Sequence, residues 1–267
     1  MKEYKDIITK EIKHLDPKSP HTKYKIIYVK EYTKNWAYVA CGSDADNINF
    51  IDCMCNAGVY ADGDFCSSIE ILNAFVDIAY QFPNKKFNIF LNDNNKDRIR
   101  ISFDLIKRLH PKLPRNLSYF IDNEDVNDYF SLLLKKYKTF NYPSRTILYV
   151  DPYDFHTVVL DKMGYFLSRV YCELIFNLFT SDFIRNGNDE GIIKVLGGKY
   201  DLKTYEDLTA HVQKRFRKGK MKYCFAYPFR ISKNVELYRI LFITPHIKGL
   251  DVFKKSVVGF IWRWRIL

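Results

Sequence analysis

Residues Ile48 to Asp64, INFIDCMCNAGVYADGD, set how the rest of the chain is read. A largely apolar run carries Asp52 at its end, then turns through Asn56, Ala57 and Gly58 into a polar loop. In an α/β sheet, a ligand of nucleotide type sits over the carboxyl edge of such a strand, where the backbone turns tightly. Tight turns need positive φ, and close approach of backbone to a ligand needs a missing Cβ; Gly58 meets both demands. Asn56 meets only the first, because Asn tolerates the left-handed region better than other non-glycine residues. Its side chain still fills space that a ligand's carboxylate or ribose would need. The same residues also suit an ordinary strand–loop–helix turn.

Downstream, Ser67 with Glu70 three positions on has the form of a capping box and predicts a helix from Ser67 to about Phe82, before Pro83. Free N–H groups at its start would suit an anion. The pattern then predicts a strand at Phe87 to Leu91, a helix at Lys96 to Leu109, a strand at Leu117 to Ile121 and a helix at Asp125 to Tyr137. A strand at Arg145 to Val150, a helix at Val158 to Leu167 and a strand at Cys172 to Phe179 follow. Upstream, helices are expected over residues 2–15 and Lys23 to Ala40, broken by Pro17 and Pro20, and the first strand over Asn47 to Cys55. Asn186 to Tyr200 reads as glycine-rich and irregular. A helix at Thr204 to Phe216, strands at Lys222 to Tyr227 and Leu237 to Ile243 joined through Ser232-Lys233-Asn234, and a helix at Leu250 to Phe260 complete the chain. Strands so close in sequence pair antiparallel.

Alternating strands and helices over 47–180 predict a parallel, doubly wound sheet. Closed by an antiparallel C-terminal pair and preceded by N-terminal helices, this layout resembles the Rossmann-like class I methyltransferase fold. One domain is expected over 1–267: a helical extension at 1–46, a βα core at 47–180, and a linker, helix, strand pair and last helix at 181–267.

The chain has 267 residues, 47% hydrophobic and 16% aromatic, which suffices for a large core, and a formal charge of +11. Such a charge suits a polyanion such as nucleic acid, or plain solubility. The basic residues are spread out, with local clusters at Lys214 to Lys220 (KRFRKGK) and Arg263 to Arg265. The six cysteines form no CxxC pair, so no zinc site is expected. Cys53 and Cys55 read as small buried thiols on one face of the first strand. No secretory leader pattern and no apolar run of spanning length is seen, so a cytoplasmic protein without membrane attachment is expected. None of the six histidines stands in a triad or metal spacing.

Asn92 and Asp93 close the second strand, where an acidic residue would hold ribose hydroxyls. They lie about forty positions after Asp52, against roughly 20 in a dehydrogenase, which argues against NAD. Asp122, Asn123 and Glu124 end the third strand, where an adenine edge would lie; an ordinary polar turn fits both segments as well. Asp151-Pro152-Tyr153 ends the fourth, with a proline that fixes the turn. It resembles, with one proline rather than two, the acid–Pro–Pro–aromatic motif of adenine-amine methyltransferases.

Taken together, the motifs resemble the three-Cys-motif partner family, TcmP. The family's Y-I-D-x-F-A-G-P-G-x-Y-x-x-G then G-S-P corresponds to Phe50 through Tyr60, Gly63 and Cys66-Ser67-Ser68. Lys23, Tyr32 and Trp36 resemble its lead-in, Asp151 to Asp154 its D-P-F-G, and Glu173 to Leu178 its E-x-x-x-N-F, with Asn177 in the Asn place. Its Y-x-L-x-F-A-T-x-H-x-x-G ending appears as Tyr238 through His246 and Gly249, then Phe253-Lys254. The resemblance implies S-adenosylmethionine as cofactor, lined by Asp52, Asn56, Gly58, Tyr60, Ser67, Asn92, Asp93 and Asn123. It implies Asp151, Pro152 and Tyr153 as the catalytic segment facing a methyl acceptor, nucleic acid in view of the charge, with no metal. It also implies a cysteine-rich partner protein and a setting in defence against phage. The departures fall in the cofactor pocket: Asn56 for the central glycine, Ala57 for the proline, Cys66 for the glycine before Ser67, and Asn92 where an acid is expected. They motivate an alternative, a non-catalytic interaction protein on the same fold. A weaker alternative, a metal-dependent nuclease, rests on Asp52, Asp93 and Asp151 at strand ends.

Overall fold

Strand β1 (Asn47–Asp52) is buried on both faces, as a central parallel strand must be. In the computed structural model, which describes residues 4–186, 190–217, 221–232 and 235–264, it belongs to a seven-stranded sheet ordered β3-β2-β1-β4-β5-β7-β6. β2 (Lys86–Asn92), β3 (Leu117–Asp122), β4 (Ser144–Val150) and β5 (Cys172–Leu178) follow in the core. β1 pairs parallel with β2, β2 with β3, and β4 with β5. β6 (Tyr223–Ser232) and β7 (Val235–Thr244) close the sheet antiparallel, longer than the alternation predicts. This is the Rossmann-like class I methyltransferase fold. The chain clusters into two compact units, Met1–Asp125 with Pro143–Arg145 and Val252–Leu267, and Val126–Tyr142 with Thr146–Asp251.

In the first unit, α1 (Lys5–Glu11) runs into a 3-10 turn (Ile12–His14), and α2 (Pro20–Cys41) starts three residues earlier than predicted. Ser19 caps it by accepting the Thr22 N–H at 3.1 Å, and Pro20 suits a first turn because its missing N–H has no bond to lose. β1 stops at Asp52 rather than Cys55, because Asp52 Oδ1 accepts the Met54 N–H and turns the chain. Cys53 and Cys55 therefore lie in the turn, yet both are buried. α3 (Ser67–Gln81) begins where expected but without a capping box. Cys66 holds the cap position, Ser67 Oγ turns to Asp52, and Glu70 pairs with Lys30 at 2.6 Å. Phe75 of α3 meets Phe50 and Phe87 edge-on, packing the helix onto β1 and β2. α4 (Lys96–Leu109) matches its predicted bounds, capped by Asn95.

In the second unit come α5 (Val126–Lys136), α6 (Leu160–Arg169), α7 (Thr180–Asn186), α8 (Glu190–Leu196) and α9 (Tyr205–Phe216). α8 replaces the irregular segment expected at Asn186 to Tyr200. Ile192, Val195 and Leu196 bury one helical face, and Gly197, at φ 71°, ends the helix by bonding back to Lys194 O. Thr204 and Asp207 form the capping box of α9. Lys233 and Asn234 of the predicted β6–β7 connection lie outside the described residues. α10 (Ile247–Trp264) starts earlier than predicted because Thr244 Oγ1 accepts the His246 N–H and His246 Nδ1 accepts the Lys248 N–H. The strongest stretch of the family resemblance, Thr244-x-His246-x-x-Gly249, is thus a helix start in this chain. Thr244 Oγ1 donates to Glu173 at 3.1 Å, and a Cβ on Gly249 would lie 2.4 Å from Glu173 Oε1.

Candidate functional site

The loop after β1 is built by buried polar side chains that bond to one another. Asp52 Oδ1 takes the Met54 N–H and Oδ2 takes the Ser67 hydroxyl, each at 3.2 Å. Asn56 sits at φ 57°, the one non-glycine residue at positive φ among those described. Its backbone N–H donates to Asp93 Oδ2 at 3.1 Å, and its Oδ1 accepts the Ala57 N–H. Asp93 Oδ1 accepts the Asn95 N–H at 2.9 Å, and burial holds its carboxyl above the usual range even against these donors.

Asn92 joins three strand ends. Its amide donates to Cys53 O and Glu124 O, and its Oδ1 accepts the Glu124 N–H at 3.0 Å. A carboxylate at this position could not donate to either carbonyl, which gives the departure from the family's acid a structural reason. Asn123 Nδ2 donates to Asp93 O at 2.7 Å. Gly58, at φ 79°, needs glycine for its backbone and for packing: a Cβ there would lie 3.0 Å from Ile69 Cγ1 and 3.3 Å from Leu105. A side chain at Gly58 would thus meet α3 and α4. The Tyr60 N–H bonds to Asp64 O, and the Tyr60 side chain reaches the Cys66 thiol.

Residues that the sequence did not single out complete the loop. Asp16, between the 3-10 turn and α2, accepts from Asn56 Nδ2 at 2.7 Å and from Arg98 Nη2 at 2.9 and 3.1 Å. The Asp16 carbonyl accepts the Ala61 N–H at 3.0 Å. Lys18 pairs with Asp62 and Asp64, and the Tyr4 hydroxyl donates to Gly63 O. The N-terminal segment is thus strapped across the loop. Sequence pattern offers no signal for this, since Asp16 lies 40 positions from Asn56 and 82 from Arg98. A cavity of about 770 Å³ elsewhere in this unit is lined by Ile99, Phe103, Tyr119 and Ile121 and includes none of the predicted cofactor residues.

In the second unit, Asp151 follows β4. Its carboxylate accepts from the Tyr149 hydroxyl at 3.0 Å and from Asn177 Nδ2 of β5 at 2.8 Å. That bond orients the Asn177 amide and leaves its buried Oδ1 without a partner among the described residues. Pro152 is buried, while Tyr153 is 55% exposed. Among the described residues no group of three or more His, Cys, Asp or Glu side chains is placed to hold a metal ion, and no helix is long and apolar enough to cross a membrane.

No protein-family model matches the chain, and no curated protein matches it in sequence. Several solved structures are similar in fold. An O-methyltransferase from Bacillus cereus, in complex with SAH, is 10% identical with a TM-score of 0.48, over 90% of each chain. A DUF574 family protein from Streptomyces avermitilis is 11% identical with a TM-score of 0.47, over 91% of this chain and 90% of that one. A SAM-dependent methyltransferase from Methanosarcina mazei is 11% identical with a TM-score of 0.37, over 75% of this chain and 92% of that one.

Proposed function

We propose that the chain is a single methyltransferase-like domain of the TcmP type that binds S-adenosylmethionine and acts on an amine-bearing acceptor such as a nucleobase. The observation that carries this reading is the turn after β1. Asn56 and Gly58, at φ 57° and 79°, place a tight loop between Asp52 and α3, and Asp93 holds it from β2. A tight turn of this course supports a cofactor at the strand's carboxyl edge, while the polar side chains around it are engaged with one another. Asp52, Asn56, Gly58, Tyr60, Ser67, Asn92, Asp93 and Asn123 would surround the cofactor, most of them by shaping the loop. The cofactor supplies an electrophilic methyl group when bound. Asp151, oriented by Tyr149 and Asn177, would accept an N–H of the acceptor, Tyr153 would stack on its ring and Pro152 would fix the turn. Such positioning is a large part of the rate in a displacement of this kind.

Titration calorimetry with S-adenosylmethionine tests the reading. Binding with micromolar to millimolar affinity is expected, and no heat at millimolar cofactor ends it. A second reading, a non-catalytic interaction protein acting with a cysteine-rich partner in phage defence, is favoured by the mutual satisfaction of the loop's polar groups. A stoichiometric partner on purification from the host, without cofactor binding, would establish it. A nuclease role has less support, since Asp52 and Asp93 are buried and spend their oxygens on N–H and O–H donors of the chain. The clusters at Lys214 to Lys220 and Arg263 to Arg265 run into residues 218–220 and 265, outside those described. An intracellular, cytoplasmic setting is part of the proposal.

A further inference from the structure

The two edge strands of the sheet are guarded differently. β6 carries Pro228 and the exposed Arg230, and its pairing with β7 shifts register between Phe229 and Arg230 and again before Ser232. A proline, a charge and a bulge are usual guards of an open strand. β3 has no proline and no lysine, and it keeps an unbroken register with β2, its one strand partner among the described residues. The Phe87 N–H donates to Asn116 O at 2.8 Å, with Phe87 opposite Leu117. Successive residues of a strand turn their main-chain groups to opposite sides. Ser118, Phe120 and Asp122 therefore turn theirs to β2, and Tyr119 and Ile121 turn theirs to the open side.

α4 carries two apolar stripes. Ile101, Leu105 and Ile106 are buried. Ile99 and Phe103, one turn apart beside them, line the cavity of about 770 Å³ together with Tyr119 and Ile121. Phe103 is 37% exposed. The cavity thus runs along the open edge of β3 with α4 as its roof. An extended segment laid there gains main-chain bonds from the edge and side-chain contacts at every second residue. A second copy cannot supply that segment through its own β3. Pairing about a two-fold axis would bring the copy's α4 to the same face, where this chain's α4 already roofs the groove.

The charges around the groove select the segment. α4 leads from the end of β2 to the start of β3, so Lys107 lies toward that start, its ammonium 4.2 Å from the centre of the Phe103 ring. Residues 106–116 hold no Asp or Glu. Lys107, Lys112 and Arg115 are exposed and have no ion pair among the described residues. Asp97, on the rim at the other end, is answered by His14 and Arg100. The groove is apolar along its length and cationic at one end.

We infer that the groove between α4 and the open edge of β3 is a docking site for an extended peptide of a partner protein, which joins the sheet as a further strand. The peptide is apolar at alternate positions and carries acidic residues at the end beside the start of β3. This goes beyond the cofactor reading and does not depend on it.

The test pans a random peptide library against the full chain. Selected peptides should alternate apolar with polar residues and cluster Asp or Glu at one end. Fluorescence anisotropy with the tightest of them should show about tenfold weaker binding to Phe103→Asp, which puts a charge into the apolar wall at an exposed position. Ile121→Pro should weaken it similarly, since it removes an outward N–H and spares the β2 ladder; Phe103→Asp keeps the inference testable if that strand does not accept proline. Lys107→Glu should cause a smaller loss. Hydrogen exchange should slow at the Tyr119 and Ile121 amides on binding and stay unchanged at Ser118 and Phe120. No enriched peptide, a consensus with helical spacing, or equal binding by all variants would overturn the inference. So would tight binding of oligothymidylate that Phe103→Asp abolishes, which would give the groove to single-stranded nucleic acid instead.

Discussion

Asn56 gives its side-chain amide to Asp16 at 2.7 Å while its own backbone stands at φ 57°. The residue therefore has two separable roles, a backbone shape and an anchor for the N-terminal segment. Asn56→Gly keeps the first and loses the second; Asn56→Ala loses both. A non-glycine, non-Asn residue in the left-handed region costs roughly 1–2 kcal/mol, and each lost hydrogen bond about 1 kcal/mol. Urea denaturation should place the Gly variant about 1–2 kcal/mol below the unaltered protein, and the Ala variant a further 1–2 kcal/mol lower. Equal stabilities would show that the strained backbone contributes nothing.

Gly249 and Gly164 should respond in opposite directions to the same change. A methyl on Gly249 would lie 2.4 Å from Glu173 Oε1 and 2.7 Å from Thr244 Oγ1, against the bond between those two side chains. Overpacking of a fixed site costs about 1–3 kcal/mol. Gly164 lies inside α6, and its added methyl would meet Phe216 at an ordinary 3.7 Å. There alanine should gain about 0.5–1 kcal/mol from helix propensity. Thermal melts should show Gly249→Ala lowered and Gly164→Ala unchanged or raised.

Periodicity and turn chemistry act locally, which explains what the sequence made legible. The seven strands, the bounds of α4 and the antiparallel closure all follow from patterns within about fifteen residues. α8 was hidden because glycines at 191, 197 and 198 mask a helical face of only Ile192, Val195 and Leu196. At the candidate site, Asp52, Asn56, Asp93 and Asn123 were legible as strand-end polar residues; the structure joins Asn56 and Asn123 through Asp93, while Asp52 bonds to Met54 and Ser67. Asp16 and Arg98 were not legible, because their role exists only after the chain folds back on itself. Asn92, expected to face a ligand, bonds to Cys53 and Glu124 because an amide can donate to their carbonyls and accept an N–H at once.

Arg239 is the centre of a buried charge network in the second unit. It bonds Glu236 at 2.6 and 2.9 Å, Thr209 at 3.1 Å and Glu206 at 2.5 Å, while Thr180 donates to Glu236. Removing the guanidinium strands a carboxylate on Glu236, whose side chain is 2% exposed. Arg239→Met should therefore destabilise by about 3–5 kcal/mol, and adding Glu236→Leu should recover much of it. Arg239→Lys should rescue poorly, because an ammonium cannot reproduce the planar two-pronged contact. A double-mutant cycle from chemical denaturation measures the coupling; purely additive losses would refute it.

Burial sets how the thiols respond to pH. It disfavours the thiolate, so Cys41 is pushed up to about 11, with Lys85 opposing, and Cys224 up to about 12; burial raises Cys55, Cys66 and Cys172 as well. An unfolded thiol titrates near 8.5, so the unfolded chain gives up its protons first as pH rises. A folded value raised above the unfolded one gives stability that is full below the unfolded value and lost as pH climbs through the folded one. The urea midpoint should therefore hold to about pH 8 and fall between about pH 9 and 11. Cys41→Ala should flatten part of that fall, apart from its packing loss. At pH 8 the native thiolate fraction of Cys41 is on the order of one in a thousand, against about a quarter for a free thiol. Alkylation with iodoacetamide at that pH should leave Cys41, Cys55, Cys66, Cys172 and Cys224 unmodified within minutes in the native protein, and modify all five once urea unfolds it. Rapid native labelling at Cys41, located by mass spectrometry, would show that this thiol is not buried as described.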